Sequence, residues 1–127
     1  MSDHLRGVVV SHAQVAQALI DAVRQITGSA DHLVAVTNAD CGREGLLERL
    51  AAAIGDGPAV VFVDLPSGSC LQASLLYLRS HTRVAGVAGV NLAMLLDFVL
   101  HDDHDPDQAV DRALATGGRS IRVLQRS

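Results

Sequence analysis

The stretch LRGVVVSHAQVAQALIDAVRQITG, residues 5–28, contains the pattern that decides the fold. Mainly β-branched and other apolar residues fill positions 5–10, and from about Ala13 apolar side chains recur at helical spacing until Gly28. The pattern predicts one strand followed by one helix.

The same unit recurs along the chain. Further strands are predicted at residues 32–36, 59–63 and 83–88, and the helices after them at about residues 46–54, 71–78 and 92–100. Continuous apolar strands that alternate with helices indicate a parallel sheet covered on both faces. The predicted fold class is therefore α/β, a doubly wound, four-stranded parallel sheet with helices on both faces.

The C-terminal part of the chain begins with a polar segment, residues 101–105. Its His and Asp residues could bind a metal by residue type, but its position before Pro106 favours an acidic linker in which Asp105 caps a last helix. The pair Gly117-Gly118 is predicted to end that helix. Apolar and polar residues alternate over residues 120–124, which predicts a short final strand with one polar face.

Composition limits the classes of function. The 127 residues suit a single domain, residues 1–127. Ten Arg and no Lys stand against 14 acidic residues, giving a net charge of −4 without a basic stripe. Aromatic residues make up only 2% of the chain. Both features argue against nucleic-acid binding, through phosphates or through base stacking.

Location and redox state follow from segments that the chain lacks. The most apolar stretch, residues 86–100, is interrupted by polar residues and is shorter than the roughly 20 residues of a membrane-spanning helix. The polar residues Asp3 and His4 precede a valine run that is too short for a signal peptide. We therefore expect a cytoplasmic protein without membrane insertion, in which Cys41 and Cys70 are free thiols.

The candidate site lies where two predicted strands end. Ligands of doubly wound sheets bind beyond the carboxyl ends of the strands, often between strands 1 and 3. His12 follows strand 1 and Asp64 follows strand 3, so their side chains meet if these strands are neighbours. A histidine held by a carboxylate is a candidate nucleophile or base. From spacing alone, a capping or solvent-facing histidine remains an alternative.

Residues at predicted helix starts surround this pair. Ser11, Gly68 and Ser69 occupy such positions, where unpaired backbone N–H groups and the helix dipole favour an anion such as phosphate. A Ser-His-Asp hydrolase is a weaker alternative, because the G-x-S-x-G motif is missing from the loop.

Three segments in order resemble one family. GVVVSH at residues 7–12, VVFVDLPSGSCLQAS at residues 60–74 and VAGVNLAMLLD at residues 87–97 are similar to the mannose-type (mannose/fructose/sorbose) IIA component of the bacterial phosphoenolpyruvate-dependent sugar phosphotransferase system. The resemblance covers about 120 residues. It implies the fold predicted above, with a C-terminal antiparallel strand exchanged between the subunits of a homodimer.

The resemblance also implies a phosphoryl relay. The phosphorylated histidine of the family corresponds to His12, its orienting aspartate to Asp64 and the serine of its glycine-rich loop to Ser69, while Asn91 takes a supporting role. HPr is the implied phosphoryl donor and a IIB component the implied acceptor. Neither a metal nor a nucleotide cofactor is needed at this step.

The chain departs from the family pattern beside the site. Ala13 follows the histidine where the family usually has Gly, and Ser67-Gly68-Ser69-Cys70 replaces the usual Gly-Gly-Ser-Pro. Leu65-Pro66 replaces a frequent aromatic residue. Two alternative functions stay open: a regulatory IIA-like domain that signals phosphorylation state without sugar transport, and the phosphotransfer subunit of dihydroxyacetone kinase, to which residues 9–12 are also similar.

Overall fold

The computed structural model describes residues 5–127, so Asp3 and His4 lie outside the described part. Strands and helices alternate up to the last two helices. The elements are β1 (Arg6–Ser11), α1 (Val15–Thr27), β2 (Leu33–Thr37), α2 (Arg43–Ile54), β3 (Ala59–Val63), α3 (Ser69–Leu78), β4 (Val84–Ala88), α4 (Leu92–Leu100) and α5 (Pro106–Arg119).

The four strands form one parallel sheet in the order β2-β1-β3-β4. Strands β1 and β3 are therefore neighbours, and Val10 of β1 lies beside Val63 of β3. Because the strand order reverses at this point, the carboxyl ends of these strands lie at the switch point of the sheet. The predicted α/β class and parallel sheet are confirmed.

Helices cover both faces of the sheet. Val9 and Phe62 face a core with α1, α4 and α5, whereas Val8 and Val61 face a second core with α2 and α3. Phe62 and Phe98 meet edge to face, with ring centroids 5.3 Å apart. Two buried faces explain why the strands are continuous apolar runs.

Two of the helix ends carry the capping residues that the sequence predicts. Gly28 ends α1 in the left-handed conformation, with φ of +86°. The Asp105 side chain accepts a hydrogen bond from the N–H of Asp107, so it caps α5 as predicted.

The acidic linker before α5 is structural. Arg112 donates hydrogen bonds to the carboxylates of Asp97 and Asp103, and Thr116 donates to Asp97. These contacts join the linker and α4 to α5. They give the acidic residues partners within the fold, in agreement with the linker interpretation.

The prediction that Gly117-Gly118 ends the last helix is wrong. Helix α5 continues through both glycines to Arg119, with Ser120 as its C-terminal cap. Gly117 is buried where α5 crosses Met94, and its carbonyl accepts a hydrogen bond from the Asn91 side chain. A small residue is needed for this close approach, so packing rather than helix termination explains Gly117.

The C-terminal residues 121–127 form neither a helix nor a strand in the single chain. The apolar side chains of Ile121, Val123 and Leu124 are 77%, 63% and 98% exposed. Pairing of this segment with a partner subunit stays a prediction.

The two glycines of α5 provide a matched test of this packing. A Cβ on Gly117 would overlap Met94, whereas a Cβ on Gly118 would meet no atom within 4 Å. We expect Gly118→Ala to be more stable than Gly117→Ala by about 1–3 kcal/mol, because only Gly117→Ala overpacks the core. Urea unfolding of both variants measures the difference, and equal free energies of unfolding would contradict the close approach.

Candidate functional site

His12 and Asp64 form a hydrogen-bonded pair at the switch point. Nδ1 of His12 lies 2.8 Å from Oδ2 of Asp64, and the backbone N–H of His12 donates to the same oxygen at 2.9 Å. The backbone N–H of Asp64 donates to the carbonyl of Val10 at 3.1 Å, which ties the aspartate to β1. The predicted meeting of the two side chains is confirmed.

Asp64 is held in its ionised form. Burial alone would raise its pKa, but hydrogen bonds from the backbone and ring of His12, the charge of His12 and the N–H of Leu65 outweigh burial and leave the pKa below its ordinary value. An ionised carboxylate only accepts hydrogen bonds. A neutral His12 ring therefore donates from Nδ1 and keeps a lone pair on Nε2.

The two members of the pair differ in exposure. The His12 side chain is 42% exposed, whereas that of Asp64 is 11% exposed. A group on another molecule can therefore approach the His12 ring, while the aspartate is shielded behind it. This arrangement suits a histidine that exchanges a group with a partner.

The first turn of α3 lies beside Nε2. A Cβ on Gly68 would lie 3.6 Å from Nε2 and from Cε1 of His12, so the backbone at Gly68 approaches the ring closely. Gly68 has φ of +90°, and no side chain caps the helix that starts at Ser69. The free N–H groups of this turn and the helix dipole favour an anion next to Nε2.

The two candidate serines differ in burial. The Ser11 hydroxyl is buried, accepts from the N–H of Ala16 at 2.7 Å and donates to the carbonyl of His12 at 3.1 Å. The hydroxyl thus organises the turn into α1, and a direct contact of Ser11 with phosphate stays a prediction. Ser69 is exposed at the start of α3, and phosphate binding by its hydroxyl stays a prediction.

Sequence reasoning missed Asn38, which follows β2. Its side chain donates to Oγ of Ser69 at 3.2 Å and accepts from the N–H of Ala13 at 3.4 Å. Asn38 thereby connects the turn after His12 to the start of α3. Its position directly after a strand, like those of His12 and Asp64, was the available signal.

Ala13 keeps a backbone conformation that favours glycine. Its φ is +49°, and its carbonyl accepts from Thr37 Oγ1 at 2.7 Å. A non-glycine residue in this region costs about 1 kcal/mol. The departure from the family pattern therefore preserves the turn at an energetic cost.

Cys70 is buried against the pair, with Sγ 3.9 Å from Nδ1 of His12. Burial, together with the negative charge of Asp64, raises the pKa of the thiol to about 11. The thiol is therefore protonated at neutral pH and is a poor nucleophile. Cys41 and Cys70 are both free, as predicted.

Asn91 lies after β4 and acts within the fold. Its side chain accepts from the N–H of Met94 at 3.0 Å, which caps α4, and donates to the carbonyl of Gly117 at 3.2 Å. These bonds hold α4 and α5 together at the carboxyl edge of the sheet. The predicted supporting role is thus a structural one.

The fold and this site define a class: a doubly wound α/β domain that presents a carboxylate-oriented histidine at its switch point. The chain belongs to the mannose-type IIA family of the sugar phosphotransferase system, because residues 7–114 match the family described as PTS system fructose IIA component, EIIA-man. A comparison with curated protein sequences finds no significant match.

Solved structures share the fold across nearly the whole chain. The mannose/sorbose specific IIA subunit of the phosphotransferase system from Enterococcus faecalis is 22% identical, with a TM-score of 0.85 over 100% of this chain and 98% of that chain. The phosphotransferase system component EIIA from Streptococcus agalactiae is 20% identical, with a TM-score of 0.87 over 94% and 96%.

The same architecture also occurs in a protein with a different description. The sigma-54 interaction domain protein from Enterococcus faecalis is 12% identical, with a TM-score of 0.73 over 98% of each chain. Within residues 5–127, none of the helices is both long and apolar enough to span a bilayer.

Proposed function

We propose that this chain is a phosphoryl carrier of the sugar phosphotransferase system, which accepts a phosphoryl group from phosphorylated HPr on His12 and passes it to a IIB component. The observation that carries the proposal is the 2.8 Å hydrogen bond between Nδ1 of His12 and Asp64, because it leaves Nε2 as the attacking atom. The cytoplasm is the setting expected of this relay.

The proposed transfer is a direct displacement. The lone pair on Nε2 attacks phosphorus, the bond from phosphorus to the donor breaks, and its electron pair stays on the donor. Positive charge develops on the His12 ring, and the Asp64 carboxylate stabilises it through Nδ1–H. Transfer to the IIB component reverses these steps. Catalysis of this kind depends mainly on positioning and on charge stabilisation.

The start of α3 supports the phosphoryl oxygens in this scheme. The helix begins at Ser69 without a side-chain cap, directly after Gly68, and a Cβ on Gly68 would lie 3.6 Å from Nε2. Backbone N–H groups at a helix start bind phosphate without a metal ion. Asn38 positions Ser69 by its hydrogen bond to Oγ.

Reconstitution with purified partners tests the proposal. Incubation with phosphoenolpyruvate, enzyme I and HPr should add the mass of one phosphoryl group, which acid removes and which fragmentation assigns to His12. The control is His12→Ala, which should acquire no label. Addition of a IIB component should then discharge the phosphorylated chain.

The outcomes separate the candidate functions. Failure to acquire label from HPr of several sources would contradict the carrier role. Label that reaches His12 but cannot be discharged by any IIB component would instead support a regulatory domain that reports phosphorylation state.

The exposed C-terminal residues lead to a further prediction, a homodimer with exchanged C-terminal strands. Residues 120–124 alternate polar and apolar side chains, and Ile121 and Leu124 are solvent-exposed in the single chain. Pairing along a partner's sheet would bury these side chains and satisfy their backbone groups. Sedimentation at micromolar concentration should show a dimer for the full chain and a monomer for a chain that ends at Ser120. Equal sedimentation of both chains as monomers would contradict the exchange.

A further inference from the structure

Three metal-ligating side chains converge at the site. Nδ1 of His12, a carboxylate oxygen of Asp64 and Sγ of Cys70 lie within 4.8 Å of one another, the one such group among residues 5–127. Nδ1 is 2.8 Å from Asp64 Oδ2 and 3.9 Å from Cys70 Sγ. Imidazole, carboxylate and thiolate are the three ligand types that bind zinc in proteins.

The spacing is close to that of a zinc site. Tetrahedral zinc with bonds of about 2.0–2.3 Å holds its ligand atoms about 3.3–3.7 Å apart. The distance from Nδ1 to Oδ2 is slightly shorter than this and the distance from Nδ1 to Sγ slightly longer, while Sγ lies within 4.8 Å of a carboxylate oxygen. Side-chain shifts of about 1 Å would bring the three atoms to the spacing of a zinc site. The His12 side chain is 42% exposed, so one member of the cluster is in contact with solvent.

Cys70 is the fully buried member of the cluster. It lies in the first turn of α3, while His12 and Asp64 follow neighbouring strands. The three ligands thus come from separate elements that the sheet holds together.

We propose that His12, Asp64 and Cys70 bind a zinc ion reversibly, and that bound zinc prevents phosphorylation of His12. Zinc coordinates Nδ1, the Asp64 carboxylate and the Cys70 thiolate, with water as the fourth ligand. The thiol proton leaves to solvent, and the ring proton moves from Nδ1 to Nε2. The ion is an inhibitor in this scheme and takes no part in phosphoryl transfer.

Bound zinc would prevent phosphorylation because it fixes which nitrogen of the His12 ring carries the proton. A neutral ring that binds metal through Nδ1 carries its single proton on Nε2, which then has no lone pair to attack phosphorus. Zinc also removes Asp64 from its hydrogen bond with the ring. Zinc and the phosphoryl group therefore exclude each other. This regulatory consequence rests on the proposed carrier function, whereas zinc binding itself does not.

Cobalt titration under a non-chelating reductant tests binding directly. A thiolate ligand gives Co²⁺ a charge-transfer band in the near ultraviolet, and added Zn²⁺ should abolish the band by displacement. We expect the band in the unmodified chain and in Cys41→Ser, the matched cysteine control, and no band in Cys70→Ser. By calorimetry, Cys70→Ser should bind Zn²⁺ at least about 100-fold more weakly.

A variant of a second zinc ligand keeps the test decisive if Cys70→Ser fails to fold. His12→Ala changes a half-exposed side chain and should also lose the band, while circular dichroism checks that each variant is folded. A band of full intensity in folded Cys70→Ser, or its loss in Cys41→Ser, would overturn the site. Absence of both cobalt and zinc binding by the unmodified chain would overturn it as well.

Phosphorylation assays with and without Zn²⁺ test the consequence. Zinc should slow label transfer to the unmodified chain and to Cys41→Ser, and should have a much smaller effect on Cys70→Ser. Because the Cys70→Ser reaction contains the same enzyme I and HPr, it also controls for inhibition of those two proteins by zinc. Zinc that binds without slowing transfer would overturn the exclusion. If His12 acquires no label even without zinc, the carrier function fails, while the cobalt titration still decides the metal site.

Discussion

Asp64→Asn is expected to slow phosphorylation of His12 by about 10²–10⁴-fold, the range seen when a catalytic histidine loses its orienting carboxylate. The amide is nearly the same size, so the turn after β3 should keep its shape. It lacks the negative charge that stabilises the ring as phosphorus arrives. It can also donate to Nδ1, which would place the ring proton on Nε2.

Rapid-quench measurement of label transfer from phosphorylated HPr gives the rate constant. Asp56→Asn is the matched control, because it removes the same charge from an exposed turn before β3. Its rate should equal that of the unmodified chain. If Asp64→Asn were also phosphorylated at the unmodified rate, Asp64 would not be the functional partner of His12.

Asp64→Asn should also change how the free energy of unfolding depends on pH. The pKa of Asp64 is lower in the folded chain than its ordinary value of 3.8, so the unfolded chain binds the proton more tightly. The stabilisation that the ionised Asp64 carboxylate contributes to the fold is therefore complete above pH 3.8 and is lost as pH falls through the lowered pKa. Urea unfolding should show the stability difference between the unmodified chain and Asp64→Asn shrinking over that acidic range.

Gly68→Ala is expected to slow phosphorylation by about 10²-fold, through misplacement of the reacting groups. The added methyl group would lie 3.6 Å from Nε2, in the space that an incoming phosphoryl group needs. The backbone at φ of +90° and ψ of −171° is essentially restricted to glycine. The change should therefore also destabilise the fold by about 1–3 kcal/mol.

The control for Gly68→Ala is Gly57→Ala, in the turn before β3, where an added Cβ would meet no atom within 4 Å. Rates of label transfer and urea unfolding should both stay close to those of the unmodified chain. An alanine at position 68 that left the rate unchanged would show that the start of α3 does not approach the phosphoryl group.

The pair of His12 and Asp64 was predictable because two local patterns combine with one topological rule. Each residue directly follows an apolar strand, and parallel strands end at a common edge. The resemblance to the IIA family added roles for the two residues. The strand order that makes β1 and β3 neighbours is the long-range fact on which the meeting of the side chains depends.

Asn38 shows why part of the site was missed. Its contacts reach Ala13 and Ser69, which are 25 and 31 positions away along the chain. The sequence places Asn38 after a strand but gives no sign of which side chains stand opposite it. Gly117 was misread for the same reason, since its need for a small residue comes from Met94 on another helix.

The sequence by itself determined the alternation of strands and helices, the parallel sheet and the residues at the strand ends. Those features depend on periodicity, local capping and burial on two faces, which are written in neighbouring residues. Only the tertiary structure decided that Ser11 turns inward, that α5 continues past Gly117 and that Cys70 touches His12. These outcomes depend on distances between side chains of separate elements, which close packing fixes only once the sheet and its helices have assembled.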